Sequence, residues 1–233
     1  MRTIPALQPR DIGLVTGDYG TGKTTLVGEW VKSLGRGVLW SGPRRMGRPP
    51  DYSSFAVVVH TRREMELAIR KAPFVVWPSP PTSAGMERVL AEFNDFNTVA
   101  MQLSNCAVVW DEFQRITQDS KRLSDLPPAA QDVAELGHKE PGNLAKLYVA
   151  HRLAQIPLNF GAGAYRVATR PFPGDERSLE PFFGRDGVRR MASFGVGDFA
   201  FWSAKSGPLL PLRLKLATRP YASSLGKPER KEG

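Results

Sequence analysis

Gly17, Asp18, Tyr19, Gly20, Thr21, Gly22, Lys23 and Thr24 follow the pattern G-x-x-x-x-G-K-[ST]. The chemistry of that spacing is phosphate binding. Glycines let the loop wrap closely enough for successive backbone N–H groups to point at one anion. A helix that follows adds the partial positive charge of its N-terminus. Lys23 is placed to bridge the β- and γ-phosphates of a nucleoside triphosphate, Thr24 to bind Mg²⁺, and Thr25 to lie near the α-phosphate. Such a loop needs an acidic partner for the metal. Ala107 to Trp110 is apolar and ends in Asp111 and Glu112. Asp111 would accept hydrogen bonds from metal-bound water, and Glu112 would orient and deprotonate an attacking water. A glutamate directly after the aspartate points to hydrolysis of ATP, because phosphate transfer to another substrate needs no water activator.

The elements that must hold these groups alternate between strand and helix. Asp11 to Thr16 reads as a short buried strand running into the glycines. Lys23 to Leu34 reads as a helix with Leu26, Val27, Trp30, Val31 and Leu34 on one face, stopped by Gly35 and Gly37. Gly37 to Trp40, Phe55 to His60, Phe74 to Trp77 and Cys106 to Trp110 read as further strands. The last is a continuous apolar run, as in a central parallel strand covered on both faces. Thr61 and Glu64 form a capping box at the start of another helix. Ser83 can cap a helix with the stripe Met86, Val89, Leu90 and Phe93. Gly142 to Arg152 reads as one more helix, with Leu144, Leu147 and Tyr148 inward. Beyond about Ile156 the alternation weakens, leaving Phe199 to Trp202 and Leu209 to Leu216 as strands around a turn at Ser206, Gly207 and Pro208. Strand–helix alternation at this spacing predicts an α/β fold: a mainly parallel central sheet flanked by helices, with a C-terminal antiparallel edge hairpin. Residues 1–217 are expected to form one ATPase domain and 218–233 a flexible basic tail.

Composition narrows the class. The 233 residues include 32 Lys+Arg and 23 Asp+Glu, so 32 − 23 gives a net charge of +9, and 41% of them are hydrophobic. That is enough apolar material for a sizeable core, and it excludes a largely disordered chain. The one cysteine excludes an internal disulfide. Scattered histidines argue against structural zinc. No apolar run approaches the roughly 18 residues of a membrane span, and the first ten residues lack the apolar region of a signal peptide. An intracellular or virion-associated location is the expectation. The positive excess favours a polyanionic partner, most simply nucleic acid. Arg44, Arg45 and Arg48 in a glycine- and proline-rich stretch, and Arg185, Arg189 and Arg190 near Phe182 and Phe183, are the candidate contacts. The sequence carries no base-reading module, so contacts would be to the backbone and nonspecific.

With these motifs in this order, the chain resembles the FtsK/HerA class of DNA-translocating ATPases, in particular the small genome-packaging ATPases of viruses. The resemblance spans roughly Asp11 to Ala217: phosphate loop, second strand, variable stretch, acidic strand, then arginine. It implies a RecA-like P-loop fold, a homo-oligomeric ring, usually hexameric, around double-stranded DNA, and capsid vertex or portal proteins as partners. It also implies an arginine supplied by the neighbouring subunit and a polar sensor, typically glutamine, at the end of the strand after the acidic one. Two registers fit. In the first, Leu144 to Phe160 aligns without gaps, Arg152 is the trans finger, and the sensor falls near Ala162 or Gly163. In the second, Val167 to Pro171 matches an Ala-Thr-Gln-Arg-Pro segment lacking its glutamine, Thr169 or Arg170 is the sensor, and Arg166 is the finger. Neither register supplies the glutamine. The other readings open at this point are an ATPase of virion extrusion or conjugation, and a nucleotide-binding structural subunit with incidental turnover.

Overall fold

The computed structural model describes residues 5–43, 49–117, 122–137, 139, 142–156, 160 and 165–213. Nine strands form one sheet: β1 (Ile12–Thr16), β2 (Gly37–Ser41), β3 (Val57–Val58), β4 (Phe74–Pro78), β5 (Ala107–Trp110), β6 (Ala145–Val149), β7 (Tyr165–Ala168), β8 (Asp198–Ser203) and β9 (Gly207–Arg213). Their order is β3-β4-β2-β5-β6-β1-β7-β8-β9. β1 to β7 run parallel, and β8 and β9 are added antiparallel at one edge. The expected mixed α/β sheet with its antiparallel hairpin is therefore present. The tail at 218–233 lies outside the described residues.

Helices cover both faces. On one, α2 (Arg62–Ala68), α3 (Met86–Ala100) and α5 (Pro128–Glu135) pack Met65, Phe93, Phe96 and Val133 against Trp40, Trp77, Trp110 and Tyr148 of the sheet. On the other, α1 (Lys23–Leu34) packs Leu26, Val27, Trp30 and Val31 against Val15, Leu39, Val109 and Leu147. α6 (Glu176–Met191) covers the β7–β8 side with Leu179, Phe183, Val188 and Met191. One further turn of helix, α4 (Gln114–Thr117), follows the acidic strand. In β5, Val108 and Trp110 face one core and Ala107 and Val109 the other. That is why this strand reads as an unbroken apolar run.

Four expectations change. α3 starts after Gly85 with no side-chain cap, while Ser83, expected to cap it, lies in a separate 3₁₀ turn. The helix expected over Gly142 to Arg152 is strand β6, with all of its residues buried. Leu144 and Tyr148 face one core while Ala145, Leu147 and Val149 face the other. A short apolar run buried on both faces carries no period that separates helix from strand. The strand expected over Phe55 to His60 is reduced to Val57–Val58 at the sheet edge. At α2, the Thr61 hydroxyl accepts from Glu64 N–H as a cap should, but the Glu64 carboxylate accepts from His60 N–H instead of from Thr61.

Candidate active site

Because β1 to β7 are parallel, their carboxyl ends share one rim, the place where open α/β sheets bind ligands. Gly17 to Gly22 leave β1 there and lead into α1. Gly17 sits at φ +142°, and a Cβ on it would lie 1.9 Å from Thr169 Oγ1, so no side chain fits. Gly17 N–H donates to the His151 carbonyl and Asp18 N–H to the Arg170 carbonyl, which pins the loop to the ends of β6 and β7. Gly22, in the left-handed region at φ +94°, turns the chain into α1. No side chain caps that helix and no acid lies in its first turn, so its leading N–H groups face an anion site unopposed. Lys23 Nζ donates to the Gly17 and Asp18 carbonyls at 2.8 Å each and lies 3.4 Å from His151 Nδ1. Burial pulls its pKa down, against the opposing charges of Asp111, Glu112 and Asp18. Thr21 is buried and bonded to Thr169 and the Asp18 carbonyl, Thr25 is exposed, and Tyr19 lies over His151 at 3.8 Å.

β5 delivers the two acids. Asp111 is 6% exposed; its Oδ1 accepts Glu112 N–H at 2.8 Å and its Oδ2 accepts the Tyr52 hydroxyl at 2.6 Å. Burial pushes the Asp111 carboxyl up to about 6, with the Tyr52 hydrogen bond acting against it. Glu112 adopts φ +53°, an uncommon region for a residue with a side chain. This turns its carboxylate between Gln114, whose Nε2 donates at 3.1 Å, and His151, whose Nε2 lies at 3.7 Å. His151 beside it holds the Glu112 carboxyl below the usual range. Gly42, just past β2, leaves the space this requires, since a Cβ there would lie 2.7 Å from Glu112 Cγ.

These groups line one cavity of about 440 Å³, closed on the β2 side by Pro43, Pro50 and Asp51. The structure thus brings Lys23, Thr24, Asp111 and Glu112 together. A magnesium ion suits the donors present: Mg²⁺ takes hard oxygens and commonly needs only one or two carboxylates besides substrate phosphates. Thr24 and buried Asp111, beside the phosphate loop, are that kind of set, and the described residues hold no cluster of three or more His, Cys, Asp or Glu suited to another metal.

His151 is the site residue that the sequence reading missed. The strand after the acidic one in space is β6, between β5 and β1, and the polar residue at its end is His151. It is 7% exposed, and its Nε2, like Gln114 Oε1, has no hydrogen-bond partner. The available signal was that Leu147 to His151 repeats the apolar-run-then-polar pattern of Ala107 to Asp111. β7, the strand of the second register, lies on the far side of β1. At its end Thr169 bonds Thr21, and Arg170 pairs with Asp18 at 3.1 Å. Arg152 lies over the Phe172 ring at 4.4 Å and Arg166 over the Phe182 ring at 4.8 Å. Arg185 faces Glu180 and Arg189 faces Asp186, while Phe183 is buried and Phe182 packs on Trp202. Neither phenylalanine is a free stacking platform. Arg44, Arg45, Arg48, Ala162 and Gly163 lie outside the described residues.

No family model and no curated protein matches the sequence. Solved structures do. The genome-packaging NTPase B204 of Sulfolobus turreted icosahedral virus 2, in complex with AMPPCP, superposes with a TM-score of 0.63 at 12% identity, over 88% of this chain and 98% of that one. The same protein in complex with ATP-gammaS gives 0.62 at 12% identity over the same shares. B204, the DNA-packaging ATPase of Sulfolobus turreted icosahedral virus, gives 0.63 at 13% identity, again over 88% and 98%. The chain shares the fold of a viral packaging NTPase over 88% of its length.

Proposed function

We propose that the protein is an ATP-hydrolysing translocase of nucleic acid, a viral genome-packaging motor that drives double-stranded DNA into a capsid. One observation carries the hydrolytic part: Glu112, Gln114 and His151 converge beside the lysine of a phosphate loop, and two buried polar atoms there lack internal partners. Such atoms are costly unless a ligand or water completes them. A purely structural nucleotide site would have no use for a water-directing carboxylate. The fold shared with nucleotide-bound packaging NTPases supports the same reading.

Lys23 leaves the Gly17 and Asp18 carbonyls for the β- and γ-phosphates, the N–H groups of Gly20 to Thr24 cradle the chain, and Thr25 lies by the α-phosphate. Thr24 and Asp111 would hold Mg²⁺, which would supply charge neutralisation at the phosphates. Glu112 accepts a proton from water as its oxygen bonds to the γ-phosphorus; the bond to the bridging oxygen breaks, releasing ADP and phosphate. His151 Nδ1 faces the Lys23 ammonium, which has only protons to offer, so Nδ1 is the acceptor and Nε2 carries the ring proton. That N–H lies beside Glu112, with Nε2 3.7 Å from Oε1, and would take the place of the glutamine in the resembled class. Arg152 is the first choice for a finger supplied to the next subunit of a hexameric ring, with Arg166, the finger of the second register, next. Mixing Arg152→Ala with Lys23→Ala subunits should regain activity that neither has alone.

The +9 charge and the arginines at 185, 189 and 190 suit backbone contacts to DNA. The test is ATP turnover with and without double-stranded DNA of varied sequence. Stimulation independent of sequence and lost at high salt is expected. A rate indifferent to DNA would sink translocation while leaving the NTPase standing.

A further inference from the structure

Tyr52 lies outside every motif in the sequence, yet the fold gives it a specific place. It follows Asp51 at the mouth of the cavity and is 4% exposed. Its backbone takes φ +66°, a left-handed conformation that a bulky residue adopts only when its surroundings hold it there. Gly28 of α1 leaves room for Phe55, which a Cβ there would meet at 3.1 Å, while Tyr52 Cδ1 at 3.8 Å would be in ordinary contact with it. Phe55 packs edge-on to the Tyr52 ring at 6.2 Å. The phenol is thereby aimed at β5, where it donates to Asp111 Oδ2 at 2.6 Å.

We infer that Tyr52 is a positioning residue for the divalent cation, fixing the direction of the Asp111 carboxylate through its one hydroxyl. This rests on the reading of Thr24 and Asp111 as the metal pair. Asp111 is buried, so each of its oxygens needs a donor, and Glu112 N–H and Tyr52 O–H supply one each. With one lone pair of each oxygen used in this way, the carboxylate cannot rotate, and the remaining lone pairs keep one direction toward the loop. Outer partners of this kind set the orientation of metal-binding groups, and losing one commonly costs 10- to 100-fold in metal affinity. Phenylalanine preserves the ring contacts with Phe55 and Gly28, so Tyr52→Phe removes the donor and little else.

The experiment measures Mn²⁺, as a spectroscopic substitute for Mg²⁺, bound in the presence of ATPγS, by electron paramagnetic resonance of the free ion. Binding of ATPγS alone is measured in EDTA. Tyr52→Phe should weaken Mn²⁺ by at least about tenfold, leave metal-free nucleotide affinity within twofold, and shift the thermal midpoint by less than about 5 °C. Asp111→Asn is the control. In that background Tyr52→Phe should change Mn²⁺ affinity less than twofold, because the donor acts through the carboxylate. If Asp111→Asn binds Mn²⁺ as well as the wild type, the metal pair itself is misassigned. If Asp111→Asn loses the ion while Tyr52→Phe keeps it, or if Tyr52→Phe weakens Mn²⁺ equally in both backgrounds, the inference about Tyr52 alone is overturned.

Discussion

The ends of β6 and β7 flank the phosphate loop from opposite sides of β1, and both touch it. They differ in what their polar atoms do. At the end of β7 the Thr169 hydroxyl is shared between Thr21 Oγ1 at 2.6 Å and the Thr16 carbonyl at 3.3 Å, and Arg170 pairs with Asp18. Those groups answer one another, and what they hold is the shape of the loop. At the end of β6, His151 Nε2 is buried without a hydrogen-bond partner, and so is Gln114 Oε1 on α4, just past the end of neighbouring β5; both side chains flank Glu112. Protein interiors satisfy nearly all their buried polar atoms. A pair left open beside a cavity marks the side where something else completes the bonding. Under the function proposed above, the β5–β6 side is the side of the chemistry, and the β7 side its scaffold.

The sharpest way to break that division is at the carboxylate. Glu112→Gln keeps shape and both neighbours but cannot accept a proton, so turnover should fall by about 10³-fold while ATP binding persists. Full retention of turnover would move the chemistry elsewhere. Next come matched changes at the two strand ends. His151→Ala should lower kcat by about 10²-fold, as expected when one positioned donor to developing charge is lost, with KM and thermal stability little altered. Thr169→Val should do the reverse: the Thr21 hydroxyl loses its partner, costing about 1–2 kcal/mol of stability and weakening nucleotide binding, with kcat nearly intact. If Thr169→Val damages kcat more than His151→Ala does, the assignment of the two sides is inverted.

A smaller effect is expected at Gly42, which touches no ligand. Adding a methyl group 2.7 Å from Glu112 Cγ must displace that side chain. Small displacements of a reacting group are costly, so Gly42→Ala should reduce kcat by about tenfold while leaving the KM for ATP near that of the wild type. An unaltered kcat would mean that Glu112 has room to relax without cost.

What the sequence exposed and what it hid follow from the same physics. The glycine-rich turn between β1 and α1 and the acidic end of β5 were legible as places in the fold because the chemistry proposed for them demands contiguous residues, Gly17 to Thr24 and Asp111 with Glu112. The parallel sheet was legible from apolar runs at regular spacing, and the C-terminal hairpin from its turn. His151, Tyr52 and Gly42 were not, because each matters through a neighbour distant in sequence: 39 residues separate His151 from Glu112, and 59 separate Tyr52 from Asp111. Tyr52 depends further on Phe55, for which Gly28 leaves room, and on a left-handed backbone that no local pattern announces. β6 was misread for a related reason. Burial on both faces erases the alternation that identifies a strand, and Lys146 within it looks like the exposed face of a helix.

Lys146 supplies the mildest test of the division, because it lies on β6 with His151 yet belongs to the satisfied class. It is 2% exposed, and its amine donates to the Ala134 carbonyl near the end of α5. Lys146→Met should leave ATP turnover unchanged and alter only stability, in a pH-dependent way. Burial pushes the Lys146 pKa down to about 8. Below pH 8 the lysine is charged in both states, and folding bears the full cost of burying that charge. Between pH 8 and the ordinary lysine value the folded protein releases the proton while the unfolded chain keeps it. The unfolded state then binds more protons, so stability rises with pH across that window. The ceiling is about 3 kcal/mol at 1.4 kcal/mol per pH unit, from which the lost bond to Ala134 subtracts about 1. Methionine should therefore be more stable than wild type by about 1–2 kcal/mol at pH 7, and the advantage should vanish or reverse near pH 10. Only the difference between the two proteins isolates this group, because Cys106, pushed up to about 12 by burial, acts in the opposite sense over the same alkaline range. Urea unfolding of both proteins at pH 7 and pH 10 measures it. A gap of equal size at the two pH values would show that Lys146 is charged in the fold throughout, and a fall in ATP turnover would place the whole of β6, not only its end, on the chemical side.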